Sequence, residues 1–274
     1  MPSPLLIASP YHDGLEDSDR GRGPGRLLEA AGMPWETVDP VDPAAPEAAR
    51  IFELARGLSR RVHAALAEGA FPLVLAGDCN SCLGTVAGCG AQDLGVAWFD
   101  AHADFDTADD TASGSLDAMG LALLTGQGWQ ALREGVPGLA PIDEGNVVLV
   151  GARELEPGQR ERLEQSRIRW LQGNRYAGSD LQAALADLRD RARRLYLHID
   201  LDALDPSEGR ANQYSSVGGL STVQLLAAID EVFERFDVAA AAITAYNPDV
   251  DVDGRMAATA ARVLAAVVER AQES

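Results

Sequence analysis

The stretch "VAWFDAHADFDTADD" (residues 96–110) passes without a break from an apolar run into a cluster of carboxylates around one histidine. Near-continuous apolar runs of this length are typical of parallel strands that are covered on both faces. The sequence therefore predicts a parallel sheet. Similar runs occur at "PLLIAS" near the start, "FPLVLAG" (71–77), "NVVLVG" (146–151), "RLYLHI" (194–199) and "VAAAAIT" (238–244).

Helical patterns separate these runs. Apolar residues recur on one face between residues 49 and 68, and "NSCLGTVAG" after the second run also favours a helix. Alternating strands and helices predict one doubly wound α/β domain, which we expect to span residues 1–274. Further helices are expected at 157–166, 179–193, 221–236 and 254–272.

Composition narrows the classes of protein. The chain has 46% hydrophobic and 24% charged residues, as ordinary globular proteins do. Because it has no long apolar run, we expect no membrane span. Because its start lacks a basic region followed by an apolar core, we expect no signal peptide. The three cysteines (Cys79, Cys82 and Cys89) form no disulfide framework, which favours a cytoplasmic protein with reduced thiols. The net charge of −19 argues against nucleic acid and anionic membranes as partners. It is compatible with a cationic substrate or a metal.

Polar clusters follow five of the predicted strands. The carboxyl ends of parallel strands lie on one edge of a sheet, where ligand sites form. We therefore expect these segments to meet in one crevice. They are "GDCN", "DAHAD", "ARELEPG", "DLDALDP" and "AYNPD".

Two of these clusters indicate metal binding. In an extended chain Asp100, His102 and Asp104 point to the same side, and Asp200 and Asp202 can face them. Four carboxylates this close cannot all stay ionised without a strong positive charge. One or two hard divalent ions with oxygen and nitrogen ligands would supply it, and manganese fits. A solvated acidic loop, or a carboxylate pair working without metal, is less favoured.

The order of the motifs resembles the ureohydrolase family, which includes arginase and agmatinase. "DAHAD" and "DLDALDP" resemble its two metal motifs, and "LAGDCNSCLG", "TASGSLDAMG", "VGARELEPG", "GGLS" and "AYNPDVD" stand in the order of its other segments. The resemblance covers residues 70 to 270. It implies a three-layer α/β/α fold, two Mn²⁺ ions per chain, and trimers or hexamers.

The resemblance also assigns roles by position. It implies that Asp100 and Asp200 bridge two ions, that Asp104 binds the first, and that His102 and Asp202 bind the second. A hydroxide held between the ions would attack the carbon of a guanidinium or amidine. Asp104 and Asp117 are the positions implied for catalysis, and Asp205 would orient the ligands.

Cys79 departs from the family pattern, because it stands where the family has its first histidine ligand. A helix beginning there would lower the pKa of the thiol, and a thiolate would favour a softer metal or a more strongly bound cation. Alternatively, Cys79 is a small buried thiol and one metal is weak or absent. A redox pair or zinc site with Cys82 is less favoured.

Asp117 and His198 leave alternatives open. Asp117 stands where the family has a proton-shuttling histidine. It could shuttle protons if its pKa were raised, or it could be an exposed aspartate at a helix start. His198 could share its side of the strand with Asp200, although a hydrogen-bonded core histidine is favoured.

Two of the positions expected to contact substrate also depart from the family pattern. Ala245 replaces the glutamate that pairs with a guanidinium in the family. Asp106 stands where arginases contact the carboxylate of the substrate, which a negative charge would repel. Both changes disfavour free arginine. The other implied contacts are Thr111, Ser113 and Glu156, with Arg210 as a compensating charge or merely a solvated arginine.

We therefore expect a metal-dependent hydrolase of a C–N bond in a modified arginine, another guanidino or amidino compound, or a peptide-borne arginine. Such a role is similar to that of hydroxyarginine hydrolases in specialised metabolism. The alternative is a non-catalytic family member that binds metal or acts as a scaffolding subunit. An amide hydrolase resembling deacetylases is a weaker third possibility. We expect the protein to be a homo-oligomer.

Overall fold

A computed structural model describes residues 3–16 and 18–273. Within them, eight strands form one sheet in the order β4-β1-β5-β10-β9-β6-β7-β8, with every neighbouring pair parallel. The remaining two strands, β2 and β3, pair as a small hairpin. The strands are β1 (Pro4–Ser9), β2 (Tyr11–His12), β3 (Leu15–Glu16), β4 (Trp35–Thr37), β5 (Phe71–Ala76), β6 (Leu94–Phe99), β7 (Val147–Val150), β8 (Arg169–Leu171), β9 (Arg194–Asp200) and β10 (Asp237–Thr244).

Helices connect the strands, and those predicted from sequence lie within a few residues of their expected bounds. Three further helices, α1, α4 and α5, were not predicted. The helices are α1 (Gly23–Ala31), α2 (Glu47–Ala67), α3 (Ser81–Cys89), α4 (Gly120–Leu124), α5 (Gln130–Glu134), α6 (Pro157–Gln165), α7 (Gly178–Arg189), α8 (Thr222–Arg235) and α9 (Arg255–Glu273).

Helices cover both faces of the sheet, which explains why the strands are apolar throughout. Along β5, Leu73 and Leu75 pack into the core under α1, α7, α8 and α9, whereas Val74 and Ala76 pack under α2, α3, α4 and α6. Since successive side chains of a strand point to opposite faces, both sets must be apolar. The result is the expected three-layer α/β/α fold. No helix in the described ranges is both long and apolar enough to cross a membrane.

Helices α2 and α3 pack closely at Gly84. A Cβ atom at this position would lie 2.6 Å from the carbonyl oxygen of Ala55 and 2.7 Å from Cβ of Leu58. We expect Gly84→Ala to lower the free energy of unfolding by about 1–3 kcal/mol, because the added methyl overpacks the contact. Urea denaturation measures the change.

Gly57→Ala in α2 is the matched control. Its added Cβ would have only Nη2 of Arg60 nearby, at 3.9 Å. This substitution should leave the free energy of unfolding unchanged or raise it by up to about 1 kcal/mol, since alanine has a higher helix propensity than glycine. Equal destabilisation by both variants would contradict the packing argument.

Candidate metal centre

The predicted polar clusters meet at one edge of the sheet. Strands β5, β10, β9, β6 and β7 are consecutive in the sheet, so the segments that follow them converge. Four of the five segments line a cavity of about 360 Å³, whereas no residue of "AYNPD" lines it. The predicted site residues that line it are Cys79, His102, Asp104, Asp106, Ser113, Asp117, Glu156, Asp200 and Asp202.

Three candidate metal ligands meet at the floor of the cavity, which His102 and Asp202 line and Asp100 supports from beneath. The ligand atoms of Asp100, His102 and Asp202 lie within 4.8 Å of one another. Nδ1 of His102 is 3.3 Å from Oδ1 of Asp100 and 3.4 Å from Oδ2 of Asp202. Asn212 donates to Asp202 through Nδ2 at 3.0 Å, and the amide of Ala101 donates to its other oxygen at 3.1 Å. These two contacts leave the carboxylate facing the histidine.

Tight turns, rather than an extended chain, bring these residues together. Strand β6 ends at Phe99, and the amide of His102 donates to Oδ1 of Asp100 at 2.7 Å. The amide of Asp202 donates to Oδ1 of Asp200 in the same way, at 2.8 Å. The expected extended alternation is therefore wrong for both motifs. Aspartates favour such turns because their side chains can bond to a backbone amide two residues on.

The cluster holds several buried carboxylates but only one histidine that could carry a positive charge. Burial, with Asp202 nearby, raises the pKa of Asp100 to about 6. Burial also raises the pKa of Asp104 well above its usual range, and Oδ2 of Asp104 is buried without a hydrogen-bond partner. Burial lowers the pKa of His102, but the carboxylates of Asp202 and Asp100 outweigh it, so the net shift is strongly upward. A bound divalent cation would stabilise all of these carboxylates in their charged form.

Cys79 lies beside this cluster and also lines the cavity. Its thiol donates to Oδ2 of Asp200 at 3.1 Å and lies 3.3 Å from Oγ1 of Thr244. Burial, followed by the charge of Asp200, raises the pKa of the thiol well above its usual value. The expected lowering by a helix start is therefore wrong, because α3 begins only at Ser81 and the thiol faces carboxylates.

Asp117 is held in a buried ion pair. Its Oδ2 accepts from Nη1 of Arg20 at 2.6 Å, and its Oδ1 accepts from the amide of Cys79 at 2.8 Å. The alternative of an exposed aspartate is therefore wrong. Arg20, which also contacts His12 and lines the cavity, was not predicted. It precedes Asp117 by 97 residues, and nothing in "DRGRGPGR" links the two.

The outer wall of the cavity is acidic. Asp106 is buried and accepts from Nε2 of Gln159 at 2.8 Å, while Nη2 of Arg162 lies 3.9 Å from its Oδ1. Glu154 and Glu156 line the same wall and are exposed. The wall therefore presents carboxylates to any molecule that enters.

Two predicted substrate contacts do not line the cavity. Thr111 lies behind Ser113, with their hydroxyl oxygens 3.3 Å apart. Arg210 is exposed, and its Nη2 reaches the carbonyl oxygen of Gln213 at 3.5 Å. The structure therefore favours the interpretation of Arg210 as a solvated arginine over its interpretation as a compensating positive charge. Ala245 is fully buried.

Two residues hold the backbone around the ligands. Nη2 of Arg153 donates to the carbonyl oxygens of Asp202 and Ser216 at 2.9 and 2.8 Å. Asp205 accepts from the amide of Gly218 at 2.7 Å and so closes the loop that carries Asn212. Asp205 is thus connected to Asp202 through this loop, and its expected role in orienting the ligands stays a prediction.

His198 is a buried, hydrogen-bonded histidine, as expected. Its Nδ1 lies 2.8 Å from the hydroxyl of Tyr196, and its ring stacks on Trp98 with centroids 3.6 Å apart. Burial lowers its pKa to about 3, so the imidazole is neutral. Trp98 donates through Nε1 to Oδ2 of Asp100 at 3.0 Å.

Comparison with known proteins gives consistent matches. A sequence profile of the Arginase family matches residues 28–269. The arginase of Bacillus subtilis is 30% identical over 213 residues, which span 76% of this chain and 72% of that protein. The structure of Bacillus caldovelox arginase superposes with a TM-score of 0.85 at 26% identity, covering 98% of both chains. Bacillus subtilis formimidoylglutamase shares the fold, with a TM-score of 0.80 at 19% identity over 100% of this chain and 88% of its own.

Proposed function

Because the chain belongs to the arginase family, we propose that it hydrolyses a C–N bond in a guanidino or amidino compound with the help of divalent metal ions. The observation that carries this proposal is the convergence of Asp100, His102 and Asp202 on the floor of an acidic cavity. An imidazole and several carboxylates suit Mn²⁺.

The residues on the floor fit a metal centre. Asp100, His102 and Asp202 would hold one ion, and Asp104 and Asp200 would contribute to a second. The unpartnered Oδ2 of Asp104 supports this assignment, since a buried carboxylate oxygen otherwise requires a hydrogen bond. Bound ions would supply Lewis acidity and lower the pKa of water.

The acidic wall favours a cationic substrate without a free carboxylate nearby. Asp106, Glu154 and Glu156 attract a guanidinium and repel an α-carboxylate. The buried methyl of Ala245 offers no charge to pair with the substrate. We therefore propose a modified arginine or a peptide-borne arginine, rather than free arginine, as substrate.

Asp117 would position other groups rather than carry protons. Both of its oxygens accept hydrogen bonds, one from Arg20 and the other from the amide of Cys79. Its proposed role is to fix Cys79 and Arg20 at the side of the cavity.

Product release tests the function. The protein, loaded with Mn²⁺, is incubated with arginine, arginine amide, Nω-hydroxyarginine and a short peptide containing arginine. Cleavage of Nω-hydroxyarginine gives hydroxyurea and cleavage of the other three gives urea, so both products are measured. We expect one of the last three compounds to be cleaved faster than free arginine. A metal-loaded protein that releases neither product from any guanidino compound would favour the non-catalytic alternative.

Asp106 gives a sharper test of substrate choice. We expect Asp106→Asn to raise kcat/KM for free arginine relative to arginine amide by about tenfold, because one like charge near the carboxylate is worth ~1.4 kcal/mol. Glu161→Gln, an exposed change in α6 away from the cavity, is the control and should leave the ratio unchanged. An unchanged ratio in Asp106→Asn would show that this wall does not meet the carboxylate.

A further inference from the structure

Three buried side chains converge at the floor of the cavity, which Cys79 lines, although no sequence motif groups them. Sγ of Cys79, a carboxylate oxygen of Asp100 and a ring nitrogen of His198 lie within 4.8 Å of one another. The three residues are 2%, 1% and 0% exposed. Sulfur, nitrogen and oxygen atoms at this spacing form a ligand set for one metal ion.

The ring of His198 is fixed in place by its neighbours. Stacking on Trp98 at an interplanar angle of 14° sets the plane of the ring, and the contact of Nδ1 with Tyr196 sets its rotation. Nε2 is then directed to the side of Cys79, where Oγ1 of Thr244 lies 3.5 Å away. A hydrogen bond of this length is weak, so a metal ion would displace it.

Binding a metal ion through Nε2 requires the tautomer of His198 that carries its proton on Nδ1. The hydroxyl oxygen of Tyr196 lies 2.8 Å from Nδ1 and would accept that proton in a hydrogen bond. Metal-binding histidines commonly have such a partner on their other ring nitrogen.

Two further carboxylates lie close enough to complete such a site. Oδ2 of Asp200 contacts Sγ of Cys79 at 3.1 Å. Asp104 lines the same cavity, and its buried Oδ2 has no hydrogen-bond partner. Trp98 donates to Asp100 through Nε1, as a partner behind a ligand commonly does.

We propose that Cys79, Asp100 and His198 bind a thiophilic divalent ion, with Zn²⁺ the ion that fits best. His198 would then supply the imidazole that the family resemblance implies for position 79. The inference deepens the proposed function, on which it rests for the presence of a metal centre. Zn²⁺ accepts Cys, His and Asp ligands together, whereas Mn²⁺ prefers harder sets such as Asp100, His102 and Asp202. The two halves of the centre would thus take different metals.

Cobalt substitution tests the ligand set without any activity measurement. The chelator-treated, full-length protein is titrated with Co²⁺, a spectroscopic substitute for Zn²⁺, and the near-ultraviolet charge-transfer band of a thiolate bound to cobalt is recorded. We expect the wild-type protein to show the band and Cys79→Ser to lose it. Cys82→Ser is the matched control, since Cys82 is equally buried but contacts the carbonyl oxygen of Gly120 instead, and it should keep the band.

Two further variants test His198. His198→Asn should weaken Co²⁺ binding at the band-forming site at least tenfold, and Tyr196→Phe, which removes only the hydroxyl behind Nδ1, should weaken it ~10-fold to 100-fold. Thermal unfolding of the metal-free proteins shows which variants fold. If His198→Asn does not fold, Tyr196→Phe alone decides the question.

The outcomes separate this inference from the proposed function. A wild-type protein without the band, or an unchanged Co²⁺ affinity in the folded His198 and Tyr196 variants, would overturn the site. A normal band together with no release of urea or hydroxyurea from any guanidino compound would instead overturn the proposed function and leave the site standing.

Discussion

Asp100→Asn is expected to reduce hydrolysis of the best guanidino substrate by about a thousandfold and to remove most of the bound metal. Asp100 belongs to both candidate ligand groups, so its loss affects every ion that the centre could hold. Metal ions supply several kcal/mol of charge stabilisation in the transition state, and ~4 kcal/mol corresponds to a thousandfold in rate. Steady-state urea release and elemental analysis of the same preparation measure both effects.

Asp253→Asn is the control for this prediction. Asp253 is an exposed aspartate that pairs with Arg255 at 2.6 Å, and it does not line the cavity. Its substitution should leave turnover and metal content unchanged. Turnover within tenfold of the wild type in Asp100→Asn would contradict a catalytic metal centre at this position.

Arg20→Met is expected to lower the free energy of unfolding of the metal-free protein by about 3–5 kcal/mol. Its guanidinium pairs with Asp117 at 2.6 Å, and the two side chains are 6% and 12% exposed. Removing one partner of a buried pair leaves the other charge without compensation. Arg20 also faces Asp200 and Asp78, so the repulsion extends beyond one pair. The midpoint of thermal unfolding should fall by about 10 °C.

Arg22→Met provides the matched control. Arg22 pairs with Asp249, but these side chains are 45% and 60% exposed. Exposed pairs contribute at most about 1 kcal/mol, so this variant should unfold close to the wild type. The double variant Arg20→Met/Asp117→Asn should recover part of the lost stability. If the double variant were less stable than Arg20→Met alone, repulsion among the buried carboxylates would not be the cause.

Strands that are buried on both faces were predicted from sequence because each is a continuous apolar run. The edge strands β4 and β8 were not, since "WET" and "RWL" are three residues long and largely exposed or half-buried. Helix α1 begins with Gly-Pro-Gly, which is typical of a turn. Local pattern therefore predicts the core of the sheet better than its margins.

In the metal centre, too, local sequence motifs predicted some residues, whereas residues that contact the site from distant parts of the chain were missed. The aspartates of "DAHAD" and "DLDALDP" could be identified because each motif places several ligand types within a few residues. Arg153 and Asn212 contact Asp202, and Arg20 contacts Asp117, through hydrogen bonds that only the tertiary fold creates. The pKa of Cys79 was mispredicted for the same reason, because the carboxylate that opposes the thiol lies 121 residues away.

The strand order has a consequence for how the molecule is made. Strands β9 and β10, which are synthesised last, lie between β5 and β6, which are synthesised early. A chain that has not yet emerged beyond β8 holds Cys79, Asp100 and His102, but its central strands have unpaired edges and its second acidic motif is missing. Such sheets close late and slowly, because they depend on pairings between distant segments. Metal acquisition is thereby coupled to completion of the sheet, so an unfinished or C-terminally truncated chain cannot assemble the centre.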